Sequence, residues 1–338
     1  MRAIVYSEAG GPEVLRLVER PEPSPGPGEV RVRVSVSGVN PTDWKARQLG
    51  PSWAPTGSEL VPNQDGAGVI DAVGAGVPEN RVGERVWIWE AAWRRSNGTA
   101  QELVALPSRQ AVRLPDGALF ELGASLGIPA LTAHRCLTVS QAAPHRLAPR
   151  ALAGATVLVA GGAGAVGHAA IQLARWAGAT VVATVSGDEK AELAHAAGAH
   201  HVVNYHEDGV AEAIRAVAPD GVDVVVEVAP EVNADLDAEL LAANGTVAVY
   251  ADDGGSDLPL SWLLMRKNVA YAFVLVYTVP EEAKDHAVED VSRAVADGAL
   301  PVGDEAGLPL HRFQLERAAE AHAAVEAGAV GKVLIELA

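Results

Sequence analysis

A chain of 338 residues with 26 basic and 43 acidic side chains carries a net charge of −17, which excludes a general electrostatic binder of nucleic acid or of an anionic membrane surface. The length admits one or two domains with an ample core, and an apolar content of 49%, rich in Ala, Val and Gly and poor in aromatics, suits a parallel α/β protein. A single cysteine, Cys136, rules out an intramolecular disulfide and a zinc site of several cysteines.

The N-terminal Met1-Arg-Ala-Ile-Val-Tyr6 reads directly as a strand without a signal-peptide core. No apolar run reaches the roughly 20 residues of a membrane span. A soluble, cytoplasmic protein is the default expectation. Residues 1–124 read as short β segments broken by Gly and Pro: Ala3–Tyr6, Leu15–Glu19, Glu29–Val39 with alternating Val30, Val32, Val34 and Val36, then Val69–Val73, Arg85–Trp89, Gln101–Ala105 and Ala111–Leu114. With no βαβ unit there, a mostly antiparallel β domain is expected, in the manner of a partly open barrel. An Asx-turn at Asn40 and Asp43, beside Pro41, accounts for the end of the long strand.

From about Phe120 the pattern becomes helical, and Leu126–Leu137, which contains Cys136, reads as a core helix. Strands and helices then alternate: Thr156–Ala160, helix Ala165–Ala177, Thr180–Thr184, helix Asp188–Ala197, His201–Val203, helix Gly209–Ala218, Val222–Val226, helix Ala234–Ala243, Thr246–Tyr250 and Asn268–Val276. This order predicts a doubly wound parallel sheet with right-handed crossovers. Helix Pro280–Asp297 and the closing pair Glu316–Ala327 and Lys332–Leu337 are expected to return to the first domain.

Inside the first strand-to-helix turn, Gly162-x-Gly164-x-x-Gly167 has the spacing of a dinucleotide fingerprint. Gly162 suits a tight turn, Gly164 a close backbone approach to a pyrophosphate, and Gly167 close packing of helix on strand. Ala165, Val166 and Gly167 open the helix, whose free N–H groups and partial positive charge suit phosphate. After the second strand of this sheet, a site for NAD calls for an acid roughly 20 residues past the glycines. The position holds Ser186, followed by Lys190, which better suits a 2′-phosphate. Asp188 reads more readily as the N-cap of the next helix.

Six segments together resemble the zinc-independent, zeta-crystallin-like quinone oxidoreductases of the medium-chain dehydrogenase/reductase superfamily. They are Gly38-Val-Asn-Pro-Thr-Asp43, Asn63-Gln-Asp-Gly-Ala-Gly68, Leu126-Gly-Ile-Pro-Ala-Leu-Thr132, Ala160-Gly-Gly-Ala-Gly-Ala-Val-Gly167, Gly198-Ala-His-His-Val-Val-Asn-Tyr205 and Gly331-Lys332-Val-Leu-Ile-Glu-Leu337. The resemblance implies an α/β protein in which a Rossmann doubly wound parallel sheet, residues 125–277, is inserted in a GroES-like, mostly antiparallel β domain of residues 1–124 and 278–338. It implies NADPH as cofactor and hydride transfer to a quinone or an activated alkene, in a cleft between the domains. By the same resemblance Ser186, Lys190 and Tyr205 line the 2′-phosphate pocket, and Thr132 lies near the nicotinamide phosphate or ribose. Val228, Ala251 and Val274 hold the nicotinamide, Lys332 joins the cofactor-binding set, and Asn40, Lys45 and Gln64 face nicotinamide and substrate. Many relatives carry an aromatic hydroxyl where Lys45 stands.

Zinc-dependent relatives place a cysteine near position 40 and a histidine near position 64, where this chain has Asn40 and Gln64, both poor zinc ligands. The ten histidines form no ligand-spaced pair near these positions, and His200-His201 reads as surface. No metal is therefore expected. Without a Lewis acid to stabilise an alkoxide, reduction of an electrophilic acceptor is favoured over alcohol oxidation. The expected enzyme is an NADPH:quinone or enone reductase in which Lys45, Asn40 or Gln64 meets the developing oxyanion. The alternatives are an enoyl-thioester reductase and, in another class, a weakly catalytic NADPH-binding structural or RNA-regulatory protein. Trp44, Trp53 and Trp93 suit either stacking on a flat acceptor or packing of the β domain. The apolar run Val269–Val276 reads as an edge strand, so a homodimer is expected, with a small-molecule substrate and neither nucleic acid nor membrane as partner.

Overall fold

Asn40, expected to turn the chain out of the long strand, instead caps a helix, and the strands around it carry the first of two units. The computed structural model describes residues 1–50, 54–251, 257, 258 and 260–337, so Trp53 lies outside the described residues. Unit 1 comprises Met1–Ile128 with Pro309–Ala338, and unit 2 comprises Pro129–Leu308.

Unit 1 opens with β1 (Arg2–Val5) and β2 (Arg16–Glu19), an antiparallel pair. Then come β3 (Glu29–Val39), α1 (Pro41–Leu49), β4 (Asp65–Val73), β5 (Arg85–Ile88), β6 (Leu103–Pro107), β7 (Ala111–Arg113) and α2 (Phe120–Gly123). Val30, Val32 and Val34 are buried as the alternation predicts, in a core shared with Ile70, Val86, Ile88 and Val104. Helix α1 was masked in the sequence by the Asn-Pro pair. Pro41 is its first residue, where a missing N–H costs nothing, and Asp43 Oδ2 accepts the Asn40 N–H at 2.7 Å, one half of a capping box.

Helix α3 (Gly127–Thr138) begins at the last residues of unit 1. Unit 2 runs β8 (Thr156–Ala160), α4 (Ala165–Trp176), β9 (Thr180–Val185), α5 (Asp188–Ala196), β10 (His201–Asn204), α6 (Val210–Val217), β11 (Val222–Glu227), α7 (Pro230–Leu240), β12 (Leu241–Val249), α8 (Trp262–Arg266), β13 (Ala270–Phe273) and α9 (Glu281–Ala296). Its strands form one parallel six-stranded sheet in the order β10-β9-β8-β11-β12-β13. This is the Rossmann order, which reverses direction beside β8, the place where such sheets receive a dinucleotide. Its Val- and Ala-rich central strands are buried on both faces. Helix α7 starts earlier than the apolar pattern suggested, because Pro230 fits its first turn.

The chain returns to unit 1 with β14 (Leu310–Gln314), α10 (Ala318–Glu326) and β15 (Lys332–Glu336). The sheet order is β14-β15-β3-β4-β5-β7, with β6 also paired to β3; only the β14–β15 pair is parallel. Strand β14 escaped the sequence reading because the consecutive exposed residues His311 and Arg312 break any apolar alternation. Helix α9, expected with the first domain, belongs to unit 2. Its Asp290 accepts from the Leu147 N–H at 2.7 Å and from the Arg146 guanidinium, and lies 3.0 Å from His134 Nε2. These buried charge-assisted bonds tie α9 to α3 and to the loop before β8.

Candidate active site

In unit 2 the turn after β8 has the geometry of a phosphate cradle, with its glycines distributed differently from expectation. The left-handed residue of the turn is Gly161, at φ 69°, rather than Gly162. A Cβ on Gly162 would stand 2.8 Å from the Ala183 Cβ, so that glycine serves packing. One on Gly167 would stand 2.4 Å from Gly161 O, as close helix–strand packing requires. Gly164 is the N-cap of α4, and its Cβ position is free of close protein contacts, which leaves the space before Ala165, Val166 and Gly167 to a ligand.

At the ends of the neighbouring strands, Lys190 Nζ donates to Ser186 Oγ at 2.9 Å. Tyr205 follows β10; its N–H donates to Val185 O at 2.9 Å, which fixes it beside the end of β9, and its side chain is 47% exposed. Lys190 and Ser186 are thus paired, while the Tyr205 backbone is held beside the end of β9 and its ring stands edge-on to His206. Asp188 is not the helix cap: Gly187 holds that place and Asp188 stands in the first turn of α5. Beyond the switch point, Val228 packs on the glycine turn, 3.2 Å from where a Gly161 Cβ would lie. Ala251 and Val274 line a cavity of about 400 Å³ at the ends of β12 and β13, together with Tyr250 and Thr278. Thr132 is buried on α3.

In unit 1, β15, β3 and β4 lie side by side and bring Lys332, Asn40 and Asp65 together. Lys332 Nζ donates to Asn40 Oδ1 at 2.6 Å and to Val39 O at 3.3 Å, and lies 3.7 Å from Asp65 Oδ2. Asn40 Nδ2 donates to Asp65 Oδ2 at 2.8 Å. The Ile128 N–H, in the first turn of α3, donates to both Asp65 oxygens at 2.9 and 3.0 Å. Burial pushes both carboxyls up, and for Asp43 the neighbouring Asp65 charge adds to this, taking it to about 7. Burial lowers the Lys332 ammonium, and Asp65 and Asp43 oppose that shift. Lys332, expected among the cofactor-binding residues, is 1% exposed and turned into this cluster.

A second chain of bonds fixes the corner that carries Gln64. His322 Nε2 meets Asn63 Oδ1 at 3.0 Å, Asn63 Nδ2 donates to Ser37 Oγ at 2.9 Å, Ser37 and Thr99 hydroxyls lie 2.7 Å apart, and Thr99 donates to Asp65 O at 2.5 Å. Asn63 is held at φ 77°, a strained conformation that this network stabilises. Burial drops His322 to about 3, so it bonds as neutral imidazole. Gln64 is buried, and its Oε1 accepts the Ala92 N–H at 3.0 Å. Lys45 is exposed on α1, with its ammonium 5.9 Å over the Trp44 ring. Trp93 stacks instead under Arg94. Sequence reasoning noted Asn40 but not its dependence on Asp65 and Lys332. The available signal for Asp43 was its place three residues after the cap.

The model of the alcohol dehydrogenase GroES-like domain matches residues 26–116, and that of a zinc-binding dehydrogenase matches 165–293. A rat quinone oxidoreductase is 33% identical over 349 aligned positions, which cover 100% of this chain and 98% of the relative. The chain belongs to the medium-chain dehydrogenase/reductase superfamily. Two solved structures resemble it over 100% of both chains. One is a mycobacterial protein complexed with NADPH, at 31% identity and TM-score 0.80. The other is an NAD-dependent alcohol dehydrogenase, at 28% identity and TM-score 0.85. Both features that define this superfamily chain, the GroES-like sheet and the parallel Rossmann sheet, are the ones described above.

Proposed function

We propose that the chain is an NADPH-dependent reductase of quinones or enones that works without zinc. The observation that carries the cofactor choice is the cation and hydroxyl pair Lys190–Ser186 beside Tyr205, where an enzyme selective for NAD would present a carboxylate. When bound, NADPH supplies a hydride. Unit 2 residues do the holding: the α4 N-terminus receives pyrophosphate, Lys190, Ser186 and Tyr205 receive the 2′-phosphate, and Thr132, Val228, Ala251 and Val274 bound the nicotinamide. Gln64 has its Oε1 occupied, so its amide N–H groups are what it can offer a developing oxyanion, and Lys45 adds a cation. Asn40 has both ends of its amide occupied and acts by its fixed place.

The residues at the relatives' zinc positions do not fit that ion. Asn40 is consumed by Lys332 and Asp65, and Gln64 by the Ala92 amide; among the described residues no group of three or more His, Cys, Asp or Glu could hold a metal. The name of the rat relative supports quinone reduction over alcohol oxidation. A homodimer is proposed as the working form, since among the described residues β13 pairs with β12 alone, and Phe273 on it is 71% exposed with Leu275 nearby at 55%. The neighbouring α8 exposes Trp262 and Met265. No described helix is long and apolar enough to cross a membrane.

A paired titration tests the cofactor reading. NADPH should bind at least about tenfold more tightly than NADH, the worth of one charge-assisted contact. Equal affinities would overturn it.

A further inference from the structure

One directed chain of hydrogen bonds holds the start of β4 from both sides of Gln64. Thr99 Oγ1 lies 2.5 Å from Asp65 O, which can only accept, so the Thr99 hydroxyl proton points there. The Thr99 oxygen then accepts from the Ser37 hydroxyl at 2.7 Å, and Ser37 Oγ accepts the Asn63 Nδ2–H at 2.9 Å. That leaves Asn63 Oδ1 facing His322, so His322 Nε2 carries the proton and donates it at 3.0 Å. Both ends of the Asn63 amide are therefore occupied, while its backbone stands at φ 77°, a region that glycine enters freely and other residues do not. The flanks of this corner are pinned. Val61 O accepts the Gly98 N–H at 2.9 Å, Asn63 O accepts the Thr99 N–H at 2.9 Å, and Gln64 O accepts the Ala91 N–H at 3.0 Å. A Cβ on Gly98 would stand 2.1 Å from Pro62 O, so the corner sits flush against that glycine. With its flanks fixed, the conformation of Asn63 sets the direction in which Gln64 leaves the corner.

We propose that His322 and Asn63 are positioning residues for the acceptor: the buried imidazole holds Asn63 in its left-handed conformation, and that conformation aims the Gln64 amide. The inference rests on the reading above in which Gln64 offers its N–H groups to the acceptor. His322 lies on α10, 259 residues from Asn63, and is 0% exposed. Its Nδ1 has no partner among the described residues, so the bond to Asn63 is the one hydrogen bond the ring makes. An apolar side chain would fill the same place without burying an unpaired nitrogen, so the bond to Asn63 is what the imidazole adds.

The experiment measures kcat and KM for 1,4-benzoquinone at saturating NADPH, expressed per NADPH-binding site so that unfolded protein does not count. His322→Leu and Asn63→Ala should each lower kcat about tenfold and leave the NADPH dissociation constant unchanged. His322→Gln, whose amide N–H can replace the Nε2–H, should recover most of that loss. Asn63→Gly reaches the left-handed conformation unaided, so on that background His322→Leu should change kcat by less than about twofold. Should His322→Leu fail to fold, Asn63→Ala against Asn63→Gly reads the same dependence, with the loss expected in the alanine variant alone. Full kcat in His322→Leu and Asn63→Ala, equal losses in Asn63→Ala and Asn63→Gly, or an equal effect of His322→Leu on both backgrounds overturns the inference; a lowered kcat in Gln64→Ala then leaves the acceptor reading intact. Wild-type kcat in Gln64→Ala, or no turnover by the wild type, overturns both.

Discussion

Lys332 Nζ lies 2.6 Å from Asn40 Oδ1 and 3.7 Å from Asp65 Oδ2, all three side chains being buried. The lysine therefore neutralises an acid that also orients Asn40 and receives the first turn of α3. A buried ion pair adds little net stability, but removing one partner strands the other charge. Lys332→Met should lower unfolding free energy by about 3 kcal/mol, read from the midpoint of denaturant unfolding, with Asp65→Asn in the same background recovering part of it. No change on Lys332→Met would remove the cluster from the account.

The contact of Asp65 with the α3 N-terminus depends on a missing side chain. A Cβ on Gly127 would stand 2.1 Å from Asp65 Oδ1. Gly127→Ala should destabilise unit 1 by about 2 kcal/mol through overpacking and displace Asp65. Thermal unfolding checks the first effect, and a fall in turnover without loss of NADPH affinity checks the second.

Lys190→Ala should weaken NADPH binding about tenfold and leave NADH binding unchanged, because only NADPH carries the 2′-phosphate. Calorimetric titration with both nucleotides separates this from a general loss of folding. An equal loss for the two would place Lys190 elsewhere in the site.

Acid stability follows from Asp290. Burial by itself would raise its carboxyl, but the bonds from His134, Arg146 and the Leu147 N–H more than offset this and hold it down to about 2, below the ordinary value of 3.8. A depressed acid stabilises the fold above its unfolded value and loses that contribution as pH falls through the folded one. About 2 kcal/mol should therefore disappear as pH falls from about 4 to about 2. Asp290→Asn should be less stable near neutrality and lack this acid step, as unfolding measured across that range will show.

The sequence was most informative where one physical constraint dominated. Val30, Val32, Val34 and Val36 announced β3 by alternation, and the glycine spacing after Thr156–Ala160 announced the nucleotide turn. It was least informative where distant residues decide. Helix α1 hid behind Asn40-Pro41, since its capping acid reads equally well as part of an Asx-turn. The division of work between Gly161 and Gly162 needed the backbone angles. The partners of Asn40 lie 25 and 292 residues away, so only the folded sheet reveals that its amide is already occupied.

The most direct measurement is NADPH oxidation by the purified chain with 1,4-benzoquinone as acceptor, before and after exhaustive treatment with a zinc chelator. Quinone-dependent oxidation that chelation leaves unchanged, and that NADH supports far less well, is the predicted result. An absence of quinone-dependent oxidation, or an activity that chelation abolishes and zinc restores, would contradict the account.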